Sequence, residues 1–206
     1  MFRADHNSTR KIISVRTSAS VGLFALLWTV LLVSGVPESA CAQSTAEEYQ
    51  VKGAFLYHFA QLSDWPASVL NAGDASLELC IFDDEPRRQE LQSTIEGKSI
   101  GARIFRVHLI SQPQEIQGCN ILFLSRDEAR RQAAILRSLR GMPVLTVGET
   151  SDFLTNGGMI RFHLEEGKIR FDINLDAAEL SHLKISSRLL LLATTVTRGG
   201  VADGGQ

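Results

Sequence analysis

The chain has 206 residues, 44% of them hydrophobic and 21% charged, and a formal net charge of −2. That length suits one domain with a full core. The balance excludes a nucleic-acid binder, since no basic patch stands out.

The first 42 residues read as an export signal. Arg3, Arg10, Lys11 and Arg16 precede an uncharged run, VGLFALLWTVLLVSGV, over Val21–Val36. Pro37 breaks the helix, and Ala40-Cys41-Ala42 has the small residues that a signal peptidase reads. The run is about 24 Å long as a helix, short for a bilayer core of roughly 30 Å. Cleavage after Ala42 is expected, with a signal peptide over 1–42, an exported domain over 43–198 and a flexible tail over 199–206. An uncleaved anchor and a lipidated Cys41 are the alternatives. Glu38 counts against the lipid, because it sits where a lipoprotein signal prefers an apolar residue. Without its leader the chain carries a net charge of about −4.

Two cysteines then remain, Cys80 and Cys119. An even pair in an exported domain reads as a disulfide, with two buried free thiols as the alternative. The bridge would close a loop of about 40 residues, a stabilisation of roughly 4 kcal/mol in the chain-entropy picture.

Ala46–Leu62 shows apolar residues near a 3.6 period, with Ser44 or Thr45 as cap, and predicts a helix. Pro66 forces Trp65 out of it. Leu77–Phe82 predicts a strand, Glu90–Ile95 a short helix and Arg103–Ile110 an alternating strand. Asn120–Ser125 is almost wholly apolar, as in a strand covered on both faces. Asp127–Leu139 predicts a helix ended by Gly141, and Val144–Val147 another buried strand. Asp152–Thr155 reads as one helical turn, closed by Asn156-Gly157-Gly158. Met159–Leu164 and Lys168–Asn174 flank Glu165-Glu166-Gly167, a hairpin signal. Leu175–Val196 predicts a last helix with a long apolar face. The fold class is therefore α/β: a single domain, with a mostly parallel sheet flanked by helices and an antiparallel hairpin at its edge.

Chemical motifs are sparse. Asp83, Asp84 and Glu85, after the first strand, resemble the acidic Mg²⁺ pocket of response-regulator receivers. The rest of that pattern is missing: Ser125 stands where the phosphoacceptor Asp belongs, and Gly148-Glu149-Thr150 where the Lys belongs. A solvated turn is the plainer reading. His58, His108, His163 and His182 show no metal-ligand spacing, and neither a nucleophile elbow nor a dinucleotide fingerprint occurs. No enzyme, cofactor or metal is expected. Arg188, if buried, needs a partner. The helix over 46–62 is aromatic-rich, so Tyr57 and Trp65 are candidates for a partner surface. Asp83, Ser125 and Gly148 would border any cleft at the carboxyl ends of the parallel strands.

Five segments in order resemble one family. EYQVKGAFLYHFAQLSDWP at Glu48–Pro66 is similar to its opening helix, typically VKAAFLYNFAKFVEWP. GCNILFLS at Gly118–Ser125, VLTVGE at Val144–Glu149, GGMIRFHLEEGKIRFDINLDAA at Gly157–Ala178 and LKISSRLLLLA at Leu183–Ala193 complete it. The chain resembles the YfiR-like family of periplasmic proteins. The resemblance implies a repressor that binds the periplasmic sensor region of an inner-membrane diguanylate cyclase and can be sequestered by an outer-membrane lipoprotein. Release raises cyclic di-GMP and promotes biofilm formation. The family pattern also fits a Cys80–Cys119 bridge, while the further cysteine pair of some members is missing. A histidine kinase as partner, a homodimer and a periplasmic small-molecule sensor remain open.

Overall fold

The computed structural model describes residues 39–70, 76–82 and 88–198, and the chain from Cys41 onward forms one body. The expected signal run and Asp83–Glu85 lie outside the described residues, as does the expected tail. Among the described residues five α-helices accompany ten strands: α1 Ser39–Gln61, α2 Arg88–Ile95, α3 Ala129–Ser138, α4 Leu175–Leu180 and α5 Ser187–Leu190. The strands are β1 Ser63–Asp64, β2 Ser76–Phe82, β3 Ser99–Ile100, β4 Arg103–Ile110, β5 Ile121–Leu124, β6 Leu145–Gly148, β7 Ile160–Glu165, β8 Lys168–Asn174, β9 Lys184–Ile185 and β10 Thr195–Thr197. None of the described helices is long and apolar enough to cross a membrane.

Eight strands build the main sheet in the order β10-β8-β7-β6-β5-β2-β4-β3. β4, β2, β5, β6 and β7 run parallel; β3 joins β4 and β8 joins β7 antiparallel. β1 and β9 form a separate antiparallel pair. All four residues of β5 and of β6 are buried, which explains their unbroken apolar sequence: both faces of the sheet are covered there.

Because successive strand residues point to opposite faces, the core divides in two. Leu77, Leu79, Ile81, Phe105, Ile121, Phe123, Leu145, Val147, Phe162 and Phe171 share one cluster with Leu56 and Phe59 of α1 and Leu91 and Ile95 of α2. Cys80, Phe82, Leu122, Leu124 and Phe153 face Ile135 and Leu136 of α3 in the other. Aromatic rings lock α1 down. Phe59 lies 4.9 Å from Phe171 and 5.5 Å from Phe162, and Phe55 lies 5.7 Å from Phe171.

The bridge is formed: Cys80 of β2 joins Cys119, just before β5, with Cα atoms 5.8 Å apart. The hairpin turn is Glu166-Gly167, with φ of 51° and 73°. Positive φ at both central residues is the turn whose twist matches the strands.

The single helical turn expected over Asp152–Thr155 is present within the hydrogen-bonded turns of residues 151–157, with Asn156 N–H donating to the Asp152 carbonyl at 2.9 Å. Three expectations need correction. α1 starts at Ser39, so Ser44 and Thr45 lie inside it rather than capping it. The β7–β8 hairpin is not the edge of the sheet, because β10 pairs in parallel with β8. Finally, no single helix spans Leu175–Val196, only the short α4 and α5 within it. Asn174 caps α4 through Ala177 N–H at 3.1 Å, and the chain turns at His182, φ 57°, where Leu183 N–H returns to the Ala178 carbonyl at 2.9 Å. β9, α5 and β10 follow. This route buries Leu183 and Leu189 and places the β-branched Thr195-Val196-Thr197 in a strand.

Candidate functional site

The carboxyl ends of β5 and β6 lie side by side, with Leu124 opposite Gly148. Ser125 and Glu149 follow them directly. Glu149 ties three elements together. Its Oε1 pairs with Lys52 Nζ of α1; its Oε2 accepts from Tyr49 Oη at 3.2 Å and from Arg126 N–H at 3.0 Å. The Lys52 and Glu149 side chains are 4% and 2% exposed. Glu48, one turn before Lys52, takes a further hydrogen of the same ammonium, which also lies 4.3 Å from the Tyr49 ring centre. Two charges this deep are tolerated because each is paired and hydrogen-bonded.

This position matters because open parallel sheets bind their ligands at such strand ends, and helix N-termini attract anions there. Here the anion is internal. The Glu149 carboxylate takes the Arg126 N–H at the start of the 3₁₀ turn that leads into α3, where the Ser125 side chain makes no cap. The space left beside Lys52, Arg126, Glu149 and His163 is about 10 Å³, room for one water at most. Ser125 Oγ is fully buried and has no hydrogen-bond partner among the described residues.

Gly148 has a packing role. A Cβ there would sit 2.1 Å from the Phe153 ring, and one at Gly158 would meet the same ring at 2.1 Å from another side. Phe153 is thus clamped between two glycines, which closes the turn over the end of β6. Gln132 of α3 supports that turn by accepting from Thr150 Oγ1 at 2.6 Å.

Ser125 thus follows Leu124, the strand partner of Gly148, whereas Asp83 lies outside the described residues. Tyr57 and Trp65 are half-buried. Tyr57 donates to the Ser99 carbonyl at 3.0 Å and packs 5.7 Å from Phe105; Trp65 Nε1 donates to the Asn120 carbonyl at 3.2 Å. Each has an internal polar partner and keeps part of its ring in solvent. Arg188 is exposed and needs no buried partner. Among the described residues no group of three or more His, Cys, Asp and Glu could hold a metal ion.

Sequence reasoning missed Lys52 and Glu149. A signal for Lys52 was present: it lies three residues after Tyr49 and four before Leu56, on the apolar face of α1. A second polar cluster also went unread. Asp172 of β8 is buried; it accepts from Arg161 Nη2 at 2.5 Å and lies 3.2 Å from His163 Nδ1. Apolar side chains outside the core complete the picture. Leu191 is 86% exposed and Leu192 65%, directly after α5.

On comparison with known proteins, a family model described as YfiR/HmsC-like matches residues 49–194. Among solved structures, the chain is similar to a conserved domain protein from Vibrio cholerae O1 biovar El Tor, at 11% identity and a TM-score of 0.43, covering 64% of this chain and 57% of that one. It is also similar to an ABC domain from Streptococcus pneumonia in complex with L-Trp, at 10% identity and a TM-score of 0.45, covering 64% and 58%. The chain thus spans less than two thirds of the length of each.

Proposed function

Because the chain belongs to the YfiR/HmsC-like family, we propose that it is a non-catalytic periplasmic regulator. It binds the periplasmic sensor region of an inner-membrane diguanylate cyclase and holds that enzyme in its inactive state. The family match from Tyr49 to Thr194 carries this reading. Family membership and the Cys80–Cys119 bridge both suit an extracytoplasmic protein, and the family implies a regulatory partner. The strand-end position filled by Glu149 and Lys52 supports regulation by binding, since the usual place for an anionic substrate is taken by the protein's own carboxylate. Repression requires only unequal affinity for two states of the cyclase: a roughly 100-fold preference shifts the equilibrium by about 2.7 kcal/mol.

Deleting the gene should raise cyclic di-GMP and surface attachment, and deleting the cyclase as well should abolish the rise. Unchanged cyclic di-GMP, with the cyclase expressed, would reject the repressor role for that enzyme and favour a histidine kinase partner or a small-molecule sensor. In a periplasmic extract the mature protein should begin at Gln43 and carry no lipid, which intact mass decides.

A further inference from the structure

A groove of about 690 Å³ runs over the sheet face that carries α3. Its walls are the end of α3, the turn after β6, α4 and Thr197 of β10. Leu136, Leu139, Leu154 and Met159 line it, and Leu180 stands at its side 49% exposed. Its polar lining is largely committed internally. Thr146 Oγ1 accepts from Met159 N–H at 3.1 Å, Asn174 Nδ2 donates to the Leu154 carbonyl at 3.1 Å, and Asn156 Nδ2 donates to Asp152 at 2.8 Å. Thr197 Oγ1 donates to the Ile173 carbonyl at 3.3 Å.

Arg137 and Arg140 differ. They stand in the same lining, at the carboxyl end of α3, both exposed. Among the described residues neither guanidinium has a carboxylate or hydrogen-bond partner. Asp176 is the one acidic residue in that lining. The groove thus joins an apolar lining to two uncommitted cations, on a chain whose net charge is negative. Its volume is that of a site for a ligand or a short segment, and the complementary occupant has apolar side chains interleaved with carboxylates.

We propose that this groove docks an extended acidic–apolar segment of the partner protein, with Arg137 and Arg140 taking its carboxylates and Leu180 its apolar side chains. That the partner is the cyclase sensor region rests on the function proposed above; the chemistry of the groove does not.

A fluorescein-labelled peptide of alternating leucine and glutamate tests the groove directly, against one of leucine and lysine. The purified mature chain should bind the acidic peptide saturably and the basic one at least about tenfold more weakly. Arg137→Glu with Arg140→Glu should reverse that order, and Leu180→Ser should weaken the acidic peptide. Both arginines are exposed, so the double variant should keep the parent's circular-dichroism spectrum and melt only slightly lower, because glutamates at the carboxyl end of a helix oppose its dipole. No saturable binding of the acidic peptide, or equal binding by the reversed variant, would overturn the proposal. A second arm uses the purified periplasmic region of the cyclase. Binding by the parent and loss in the double variant supports the groove as the dock; equal binding by both rejects the groove and leaves the repressor role standing. Binding by neither rejects that cyclase as partner, while the peptide arm still decides the groove.

Discussion

Replacing Glu149 by alanine tests whether the strand-end clasp stabilises the fold. The substitution leaves the Lys52 ammonium almost fully buried, with Glu48 at the edge of the site as its remaining carboxylate. It also strips the acceptor from Tyr49 Oη and Arg126 N–H. Removing one partner of a buried pair costs about 3–5 kcal/mol. The two lost hydrogen bonds overlap with that figure rather than add to it, because all four groups share one network. For a domain of this size each kcal/mol lowers Tm by roughly 2–4 °C, so a fall of about 6–20 °C is expected. Urea unfolding of the mature protein, followed by circular dichroism, gives the free energy. Lys52→Met combined with Glu149→Leu supplies the control: removing both charges should be milder than removing Glu149 alone, since no unpaired charge stays inside. A loss below about 1 kcal/mol for Glu149→Ala, or a double variant worse than the sum of the two singles, would refute the clasp.

Gly148→Ala and Gly158→Ala should each destabilise by at least about 1–3 kcal/mol, because the new methyl meets the Phe153 ring at 2.1 Å; adding Phe153→Leu should recover part of the loss, and tolerance of either alanine in a thermal melt would contradict the clamp. Cys80 and Cys119 should resist alkylation in denatured but unreduced protein, and Cys80→Ser should cost about 2–5 kcal/mol in urea unfolding. Labelling of both thiols without reductant would rule the bridge out. The Glu115 carboxylate accepts Ser111 and Gln112 N–H, each at 2.8 Å, and these bonds hold its pKa below the usual carboxylate value. A depressed folded-state value means that its contribution is present above the unfolded pKa and fades as pH falls through the folded one. Glu115→Gln should therefore flatten the acid limb of a stability-against-pH curve, and an unchanged limb would dismiss the contribution.

Local pattern was enough wherever one element answered to one signal. The unbroken apolar runs NILFLS and VLTV required strands covered on both faces, and β5 and β6 are those strands. Alternation in RIFRVHLI marked β4 residue for residue, and Glu165-Glu166-Gly167 marked the hairpin, whose turn is Glu166-Gly167. An even cysteine pair pointed to the bridge. The five co-ordered segments pointed to the family. Tertiary structure decided the rest, for two physical reasons. Over Leu175–Val196 the apolar residues fit a helical face by spacing, but spacing cannot say whether a surface exists to receive that face. Pairing of β9 with β1 and of β10 with β8 satisfied the backbone another way, leaving Leu191 and Leu192 in solvent. Likewise Lys52 and Glu149 are 97 residues apart, and each alone reads as an ordinary charge. Only a sheet that carries Glu149 to the foot of α1 turns the two into one buried clasp, because the interaction depends on distance in space and on the removal of water from both.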